Sequence, residues 1–286
     1  MLRIPLPASL VEQAAAYASG QLTPAEPRDA ATVVLLRPGT SGGPEVYLLR
    51  RQASMAFGAG MCVFPGGGVD PRDFDHAVAW TGPAPSKWAR RLATDEATAR
   101  ALVCAAVRET FEESGVLLAG PSASSVVSDT TGADWEADRV ALESRELSFT
   151  DFLNRRRLVL RSDLLGAWSG WLTPVFEPRR YRTWFFVAAL PSGQVTRDVS
   201  SESSSVTWMG ALDAASAVDA GQLLMLPPTY LTCLEVGLFG SPAEVLASAA
   251  SRGRVEMFMP EVEGSGSSAS LSIPSSLRAL VEERLA

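Results

Sequence analysis

Short β-branched apolar runs and longer helical patterns are mixed along the chain without a repeat. ATVVLLR (31–37) and EVYLLRR (45–51) predict two strands of a hairpin joined by the Gly-rich loop PGTSGGP. MCVFPGG adds a third strand, which Pro65 ends. Residues 70–93 are polar, carry three prolines and sustain no period, so a loop or insertion is expected there. From Thr94, read as the cap with Asp95 and Glu96 in the first turn, a helix runs to Gly115, which suits the left-handed residue that closes helices. A short helix over 8–20 closes at Gly20, and a Ser/Thr/Gly-rich link (120–133) precedes helices near 134–146 and 149–157. GWLTPVF (170–176), YRTWFFVAAL (181–190) and SVTWMG (205–210) read as strands. LDAASAVDAG (212–221), PPTYLTCLEVGLFG and SPAEVLASAAS read as helices, the last capped by Ser241 with Pro242 in its first turn. RVEMFMPEVE is a late strand, followed by a Ser/Gly segment and a short amphipathic helix. Such mixing predicts an α/β domain with a mixed sheet rather than a doubly wound one.

The helix ending at Gly115 breaks two local rules in one turn. Its last part reads RETFEESGV, and at about 100° per residue Glu109, Glu112 and Glu113 fall within one sector roughly 100° wide. Like charges four residues apart repel, and the C-terminal end of a helix dipole disfavours anions. Ala101, Leu102, Val103, Ala105, Ala106, Val107 and Phe111 make the same helix nearly apolar over two turns, so these acids do not belong to a generally solvated face. Local conflict of this kind marks functional sites. A divalent cation resolves it, because Mg2+ takes oxygen ligands and keeps waters for a phosphate substrate. Arg108 is placed beside the cluster to pin a carboxylate.

Composition narrows the chemistry. With 286 residues, 47% of them hydrophobic and 20% charged, the chain is long enough to bury a sizeable core. A net charge of −7 argues against a nucleic-acid binder. Local basic groups (Arg50, Arg51, Arg155–Arg157, Arg179 and Arg180) remain candidates for an anionic small molecule. The single histidine, His76, sits in a polar stretch and makes histidine-based catalysis a poor fit. Cys62, Cys104 and Cys233 are widely spaced in apolar contexts and read as buried thiols of a reducing compartment. The N-terminus lacks a basic start followed by an apolar core, and no 18-residue apolar run occurs, so a cytoplasmic protein without membrane attachment is expected.

FPGGGVD (64–70) and RETFEESGV (108–116) together resemble the signature of the Nudix hydrolases: a glycine, five residues, a glutamate, seven residues, then Arg-Glu-apolar-x-Glu-Glu-x-Gly-apolar. With Gly67 as the glycine, Arg108 stands 41 residues on where the pattern has 14, which implies an insertion of about 27 residues. The position eight before Arg108 is Arg100 rather than glutamate, and Glu96 lies one turn earlier. An interrupted box, together with LLRR, CAAVRETFEESGVLL, WLTP, RRYRTWFF and LPPTYLTCLE, resembles the coenzyme A diphosphatase-like (RP2-related) branch.

That resemblance implies a Nudix-type α/β/α sandwich with mixed sheet plus additional helices. The expected organisation is a single domain over 1–286: core about 28–212, box insertion about 70–94, helical insertion about 134–158, C-terminal helical extension about 225–286. It implies Glu109, Glu112 and Glu113 as ligands of Mg2+ (or Mn2+), and Glu202, six residues before Trp208, as a further ligand or general base. Arg108 orients the acids. Gly66, Gly67 and Gly68 let the backbone approach phosphates, and Arg50, Arg51, Arg179 and Arg180 are candidate substrate contacts. The implied reaction is hydrolysis of a nucleoside diphosphate linked to another moiety, foremost coenzyme A or acyl-CoA to 3′,5′-ADP and a phosphopantetheine. ADP-ribose, NADH or other nucleotides stay open as substrates, as does a non-catalytic nucleotide-binding sensor, and a homodimer is compatible with the reading.

Overall fold

The computed structural model describes residues 6–40, 42–54, 58–264 and 268–285. The expectations for the extreme N-terminus (1–5), for residue 41 in the hairpin loop and for residues 265–267 in the late Ser/Gly segment lie outside the described residues. The strands are β1 (Arg28–Pro38), β2 (Pro44–Arg51), β3 (Cys62–Val63), β4 (Gly66–Gly68), β5 (Trp80–Thr81), β6 (Ala119–Gly120), β7 (Val159–Arg161), β8 (Gly166–Leu172), β9 (Tyr181–Ala189), β10 (Ser203–Gly210), β11 (Met257–Phe258), β12 (Val262–Glu263) and β13 (Ser270–Leu271). The helices are α1 (Ala8–Ala18), α2 (Pro85–Leu92), α3 (Glu96–Ser114), α4 (Ala133–Glu143), α5 (Phe149–Arg156), α6 (Ala211–Asp219), α7 (Pro227–Val236), α8 (Pro242–Ser251) and α9 (Arg278–Leu285).

The main sheet runs β10-β2-β1-β9-β8-β11. It is mixed: β1 and β9 are parallel, as are β8 and β11, while β10–β2, β2–β1 and β9–β8 are antiparallel. β1 shares one edge between two partners. Leu36 to Pro38 pair with β2, and Ala30 to Thr32 pair with the glycines of β4. The expected third strand is therefore split by Pro65 into β3, on β2, and β4, on β1.

Alternation along the central strands builds a core on each face, since successive side chains of a strand point opposite ways. Ala31, Val33 and Leu35, with Tyr47 and Leu49 of β2 and Trp184, Phe186 and Ala188 of β9, face α2, α3 and α5. Val34 and Leu36, with Val46 and Leu48 and with Phe185 and Val187, face α6, α7 and α8. This is the expected α/β/α arrangement, with both faces of the strands covered.

α3 is the central helix of the first face. Its alanine-rich stretch, with Ala99, Ala101, Ala105 and Ala106 buried, packs α3 against β1 and β4, and Asp95 caps it by accepting the Thr98 amide. The cap is Asp95 and not Thr94, so the helix starts one residue later than expected; Gly115 closes it at φ +74° as anticipated. The stretch 70–93 is not a plain loop. It holds a 3-10 turn at Pro71–Phe74, β5 and α2, whose Pro85, Trp88 and Leu92 are buried on one face. Pro85 opens α2, where a missing amide costs nothing, so proline density there marks a helix start. β8 begins at Gly166, four residues before the expected strand, and stops ahead of Pro174. The late strand is only two short pieces, β11 and β12, on either side of Pro260.

α4 and α5 dock on α3 through aromatic rings. Phe111 stacks on Phe152 at 5.3 Å and meets Trp135 edge-on at 6.4 Å. Arg155 and Arg156 pair with Asp138, and Arg156 also lies over Trp135, so these two arginines tie α5 to α4. His76 is exposed and the three cysteines are buried and free, as expected. Phe111 is fully buried, so Phe111→Ala is expected to destabilise the fold by about 3–5 kcal/mol in urea unfolding, the usual cost of emptying a core aromatic site.

Candidate active site

The acids of α3 converge on the glycines of β4, as the sequence implied. Glu113 Oε2 accepts the Gly66 amide at 2.7 Å. Gly67 faces Glu109 so closely that a Cβ there would lie 2.5–2.7 Å from its carboxylate, so any side chain at that position would push Glu109 away from Arg108.

Arg108 organises the rest. Buried to 9% exposure, it donates Nε and Nη2 to the two oxygens of Asp73 (3.1 and 2.9 Å) and Nη1 to Glu109 (2.8 Å) and to both oxygens of Glu112 (3.2 Å each). Nη2 also donates to the Gly68 carbonyl at 3.0 Å. All five guanidinium protons are thus directed at acceptors on both halves of the interrupted box. Arg108 pins three carboxylates, where the sequence reading allowed it one.

Asp73 was missing from that reading. Counted forward from Gly67, it occupies the slot after five residues where the box has its glutamate. Counting back from Arg108 led instead to Arg100, because the extra residues lie in the second spacer, between Asp73 and Arg108. Glu96 does not take the role: it is exposed in the first turn of α3.

The electrostatics leave this cluster short of positive charge. Asp73, Glu109 and Glu112 surround the guanidinium of Arg108, while Glu113 lies on the Gly66 amide with Arg51 as the opposing charge that acts on it. Burial works against the Arg108 charge, but Glu109, Asp73 and Glu112 outweigh it and raise its pKa. Burial pushes the Glu109 carboxyl up. Burial, then repulsion by Glu109, lifts Glu112 to about 8 and Glu113 well above the ordinary carboxylate range. Glu202 adds to the repulsion on Glu109 and Glu113.

Glu202 lines the same cleft of about 150 Å3, together with Asp70, Arg72, Arg108, Glu109, Glu112, Glu113, Glu143 and Arg145. It pairs with Arg51 at 3.3 Å and is 55% exposed. Of the four arginines expected to contact substrate, Arg51 is the one placed here. Its neighbour Arg50 points to the other face of β2, against the Cys62 thiol, as strand alternation requires. Arg180 is buried and donates to the carbonyls of Thr173 and Ala25, while Arg179 is exposed; neither lines the cleft. A larger cavity of about 580 Å3 lies by Asp95 and Thr98, at the opposite end of α3 from the acids.

The donor set fits a divalent cation in chemistry and charge: it is all oxygen, hard and anionic, the preference of Mg2+ and Mn2+. As they stand, no three acidic, histidine or cysteine side chains among the described residues form a ready-made cage, since Glu109 and Glu112 lie on Arg108 and Glu113 on the Gly66 amide.

A strand-borne glycine turn facing a buried helix of acids, locked by one arginine, is the loop–helix unit of a Nudix domain. The chain matches the NUDT19 Nudix domain family over residues 89–234, slightly more than half its length, and belongs to that family. It is 26% identical over 223 residues to the acyl-coenzyme A diphosphatase NUDT19 of Xenopus laevis, covering 65% of this chain and 58% of that protein. It is 26% identical over 264 residues to the protein of the same name from Gallus gallus, covering 75% and 69%. The putative nudix hydrolase 7 of Caenorhabditis elegans is also 26% identical, over 206 residues, or 70% and 57%. The chain thus spans less than three-fifths of the Xenopus and Caenorhabditis relatives. The crystal structure of a NUDIX hydrolase from Alicyclobacillus acidocaldarius shares the fold, with a TM-score of 0.66 at 24% identity, covering 81% of this chain and 98% of that one. No helix among the described residues is long and apolar enough to cross a membrane.

Two outcomes follow. Without divalent ions, Glu112 and Glu113 hold protons in the folded state that the unfolded chain has released, so the stability they contribute is full below about pH 4.5 and is lost as pH rises towards about 8. Calorimetry is expected to show Tm decreasing over that window, with Mg2+ or Mn2+ restoring more of it at pH 8 than at pH 5. Asp73→Ala removes two of the bonds to Arg108, and urea unfolding is expected to show a loss of about 2–4 kcal/mol, near the cost of breaking a buried pair.

Proposed function

We propose that the chain is a divalent-metal-dependent pyrophosphohydrolase, cleaving a nucleoside diphosphate linked to another moiety. Coenzyme A or acyl-CoA is the leading substrate, giving 3′,5′-ADP and (acyl)phosphopantetheine. The observation that carries the reaction class is the convergence of Glu109, Glu112, Glu113 and Glu202 on one cleft beside the Gly66–Gly68 backbone. The substrate class rests on the acyl-coenzyme A diphosphatases that the chain resembles. Asp73 puts an acid, though not a glutamate, in the slot whose emptiness favoured the sensor reading, and that supports the catalytic reading.

Glu109, Glu112, Glu113 and Glu202 would hold Mg2+ or Mn2+. A bound cation neutralises pyrophosphate oxygens and makes water more acidic. The chain's own groups supply the rest. Arg108 keeps the α3 acids in one sector, and the side-chain-free backbone at Gly66–Gly68 lets those acids come up against β4. Arg51 offers a guanidinium to a phosphate oxygen. A carboxylate of the cleft, with Glu202 the most exposed, accepts a proton from the attacking water. The water oxygen bonds to one phosphorus, the bond from that phosphorus to the bridging oxygen breaks, and the departing phosphate keeps the electron pair. Because Glu112 and Glu113, raised by burial and then by Glu109, must lose their protons to hold the cation, the rate is expected to rise from pH 6 towards pH 9.

The test is turnover of CoA, acyl-CoA, ADP-ribose, NADH and nucleoside triphosphates with Mg2+ or Mn2+, with products separated by chromatography. Cleavage of CoA or acyl-CoA to 3′,5′-ADP is expected. Tight nucleotide binding with no turnover of any of them would overturn the enzymatic reading in favour of a sensor. Glu113→Gln is expected to lower kcat by about 100-fold or more while the fold survives; a near-normal rate would remove Glu113 from the site.

A further inference from the structure

Glu202 sits on a surface segment before β10, yet its place over the α3 acids is closely held. The hold comes from two sides. From β2 and the residue after it, the Tyr47 hydroxyl donates to the Arg197 carbonyl at 2.8 Å, the Gln52 backbone amide donates to the Glu202 carbonyl at 3.0 Å, and the Gln52 side chain donates to the Ser201 carbonyl at 2.7 Å. From α4, Glu143 Oε1 accepts both the backbone amide and the hydroxyl of Ser201, at 2.8 and 2.6 Å. The other oxygen of Glu143 accepts Arg139 Nη1 at 2.9 Å.

Arg139 is 3% exposed, and the same Nη1 donates to the Glu112 carbonyl at 2.8 Å. One guanidinium therefore joins the C-terminal turn of α3 to Glu143, and Glu143 joins it to the residue before Glu202. A second bond chain runs alongside: Arg139 to Glu136, Glu136 to Arg197 Nη1 at 2.6 Å, and the Arg197 amide to the Ser114 carbonyl at 2.9 Å. α4 thus bridges the C-terminal turn of α3 and the segment that carries Glu202. Glu143 is also part of the cleft wall.

We propose that Glu143 is a positioning residue for the hydrolytic reaction, fixing the Ser201 backbone and through it the place of the Glu202 carboxylate opposite Glu109 and Glu113. This rests on the assignment of Glu202 made under Proposed function. The helical insertion then acts as a strut that sets the width of the acidic cleft. The carboxylate takes two donors from Ser201 on one oxygen and a guanidinium on the other, and the Ser201 contact is the one that positions Glu202.

The experiment is a double-mutant cycle of Glu143→Ala with Glu202→Gln, read as kcat and KM on whichever substrate the wild type turns over. Glu143→Ala alone is expected to lower kcat by about tenfold or more with KM changed less than about threefold, the size usual when a residue orienting a site group is removed. In the Glu202→Gln background it is expected to have no further effect, because the group it positions is already disabled. In metal-free protein, hydrogen exchange of the peptide around Ser201 is expected to quicken in Glu143→Ala while that of α3 stays at the wild-type level. Glu143→Gln keeps an oxygen for the Ser201 amide and is expected to retain kcat within about threefold. If Glu143→Ala does not fold, Ser201→Ala, which deletes one donor of the same contact, takes its place in the cycle. A wild-type kcat in Glu143→Ala, losses that multiply with those of Glu202→Gln, or an equal loss in Glu143→Gln would each overturn the proposal. An unimpaired Glu202→Gln in an active enzyme would instead sink the Glu202 assignment, and an impaired Glu202→Gln beside a normal Glu143→Ala would sink the positioning role alone.

Discussion

The buried guanidinium of Arg108 is the interaction on which the rest of the site depends. It reaches Asp73 on one side of the insertion and Glu109 and Glu112 on the other, and it caps the Gly68 carbonyl between them. Without it, several carboxylates would be crowded into a desolvated space with nothing to offset their repulsion, a cost far above the few tenths of a kcal/mol of an exposed like-charged pair. With it, the acids are held together but left with an anionic excess. A buried anionic excess on a rigid frame is the electrostatic preparation that a cationic cofactor and a phosphate substrate require.

That frame owes its rigidity to the way the sheet is covered. β1 sends Ala31, Val33 and Leu35 to one core and Val34 and Leu36 to the other, and its N-terminal half lends an edge to β4. The glycines are thus fastened as a strand directly beneath α3 and are not left as a free loop. α3 can approach them because its buried face is built of alanines and other small residues. Close approach, not hydrogen-bond number, brings Glu109 onto Gly67.

Much of this was legible in the sequence. The mixed sheet followed from apolar runs of differing period, and the sector shared by Glu109, Glu112 and Glu113 followed from helical geometry. Three things were not legible, for separate physical reasons. Asp73 was hidden because spacing was counted from the arginine, across the spacer that holds the extra residues; counting from Gly67 finds it. α2 was hidden because its Pro85 looks like a breaker unless it is recognised as an opening residue, although Trp88 and Leu92 already show the helical spacing. Arg50 and Arg51 were grouped, yet neighbours on one strand cannot share a face, and that rule alone would have separated them. The bonds from Glu143 and Arg139 to their partners cross between distant parts of the chain, and no local pattern announces them.

The pairing of Asp73 with Arg108 also bears on how such a signature evolves. The two residues are 35 positions apart in sequence but within hydrogen-bonding distance in space, so the chain leaves and re-enters the site at nearly one point. A segment strung between such closed ends can lengthen at small entropic cost, because closure entropy grows only with the logarithm of loop length. Spacing in a sequence signature is then a property of the path, while the site itself conserves only the place where the path returns. Searches that demand a fixed interval would pass over this box, although the junction that defines it is complete.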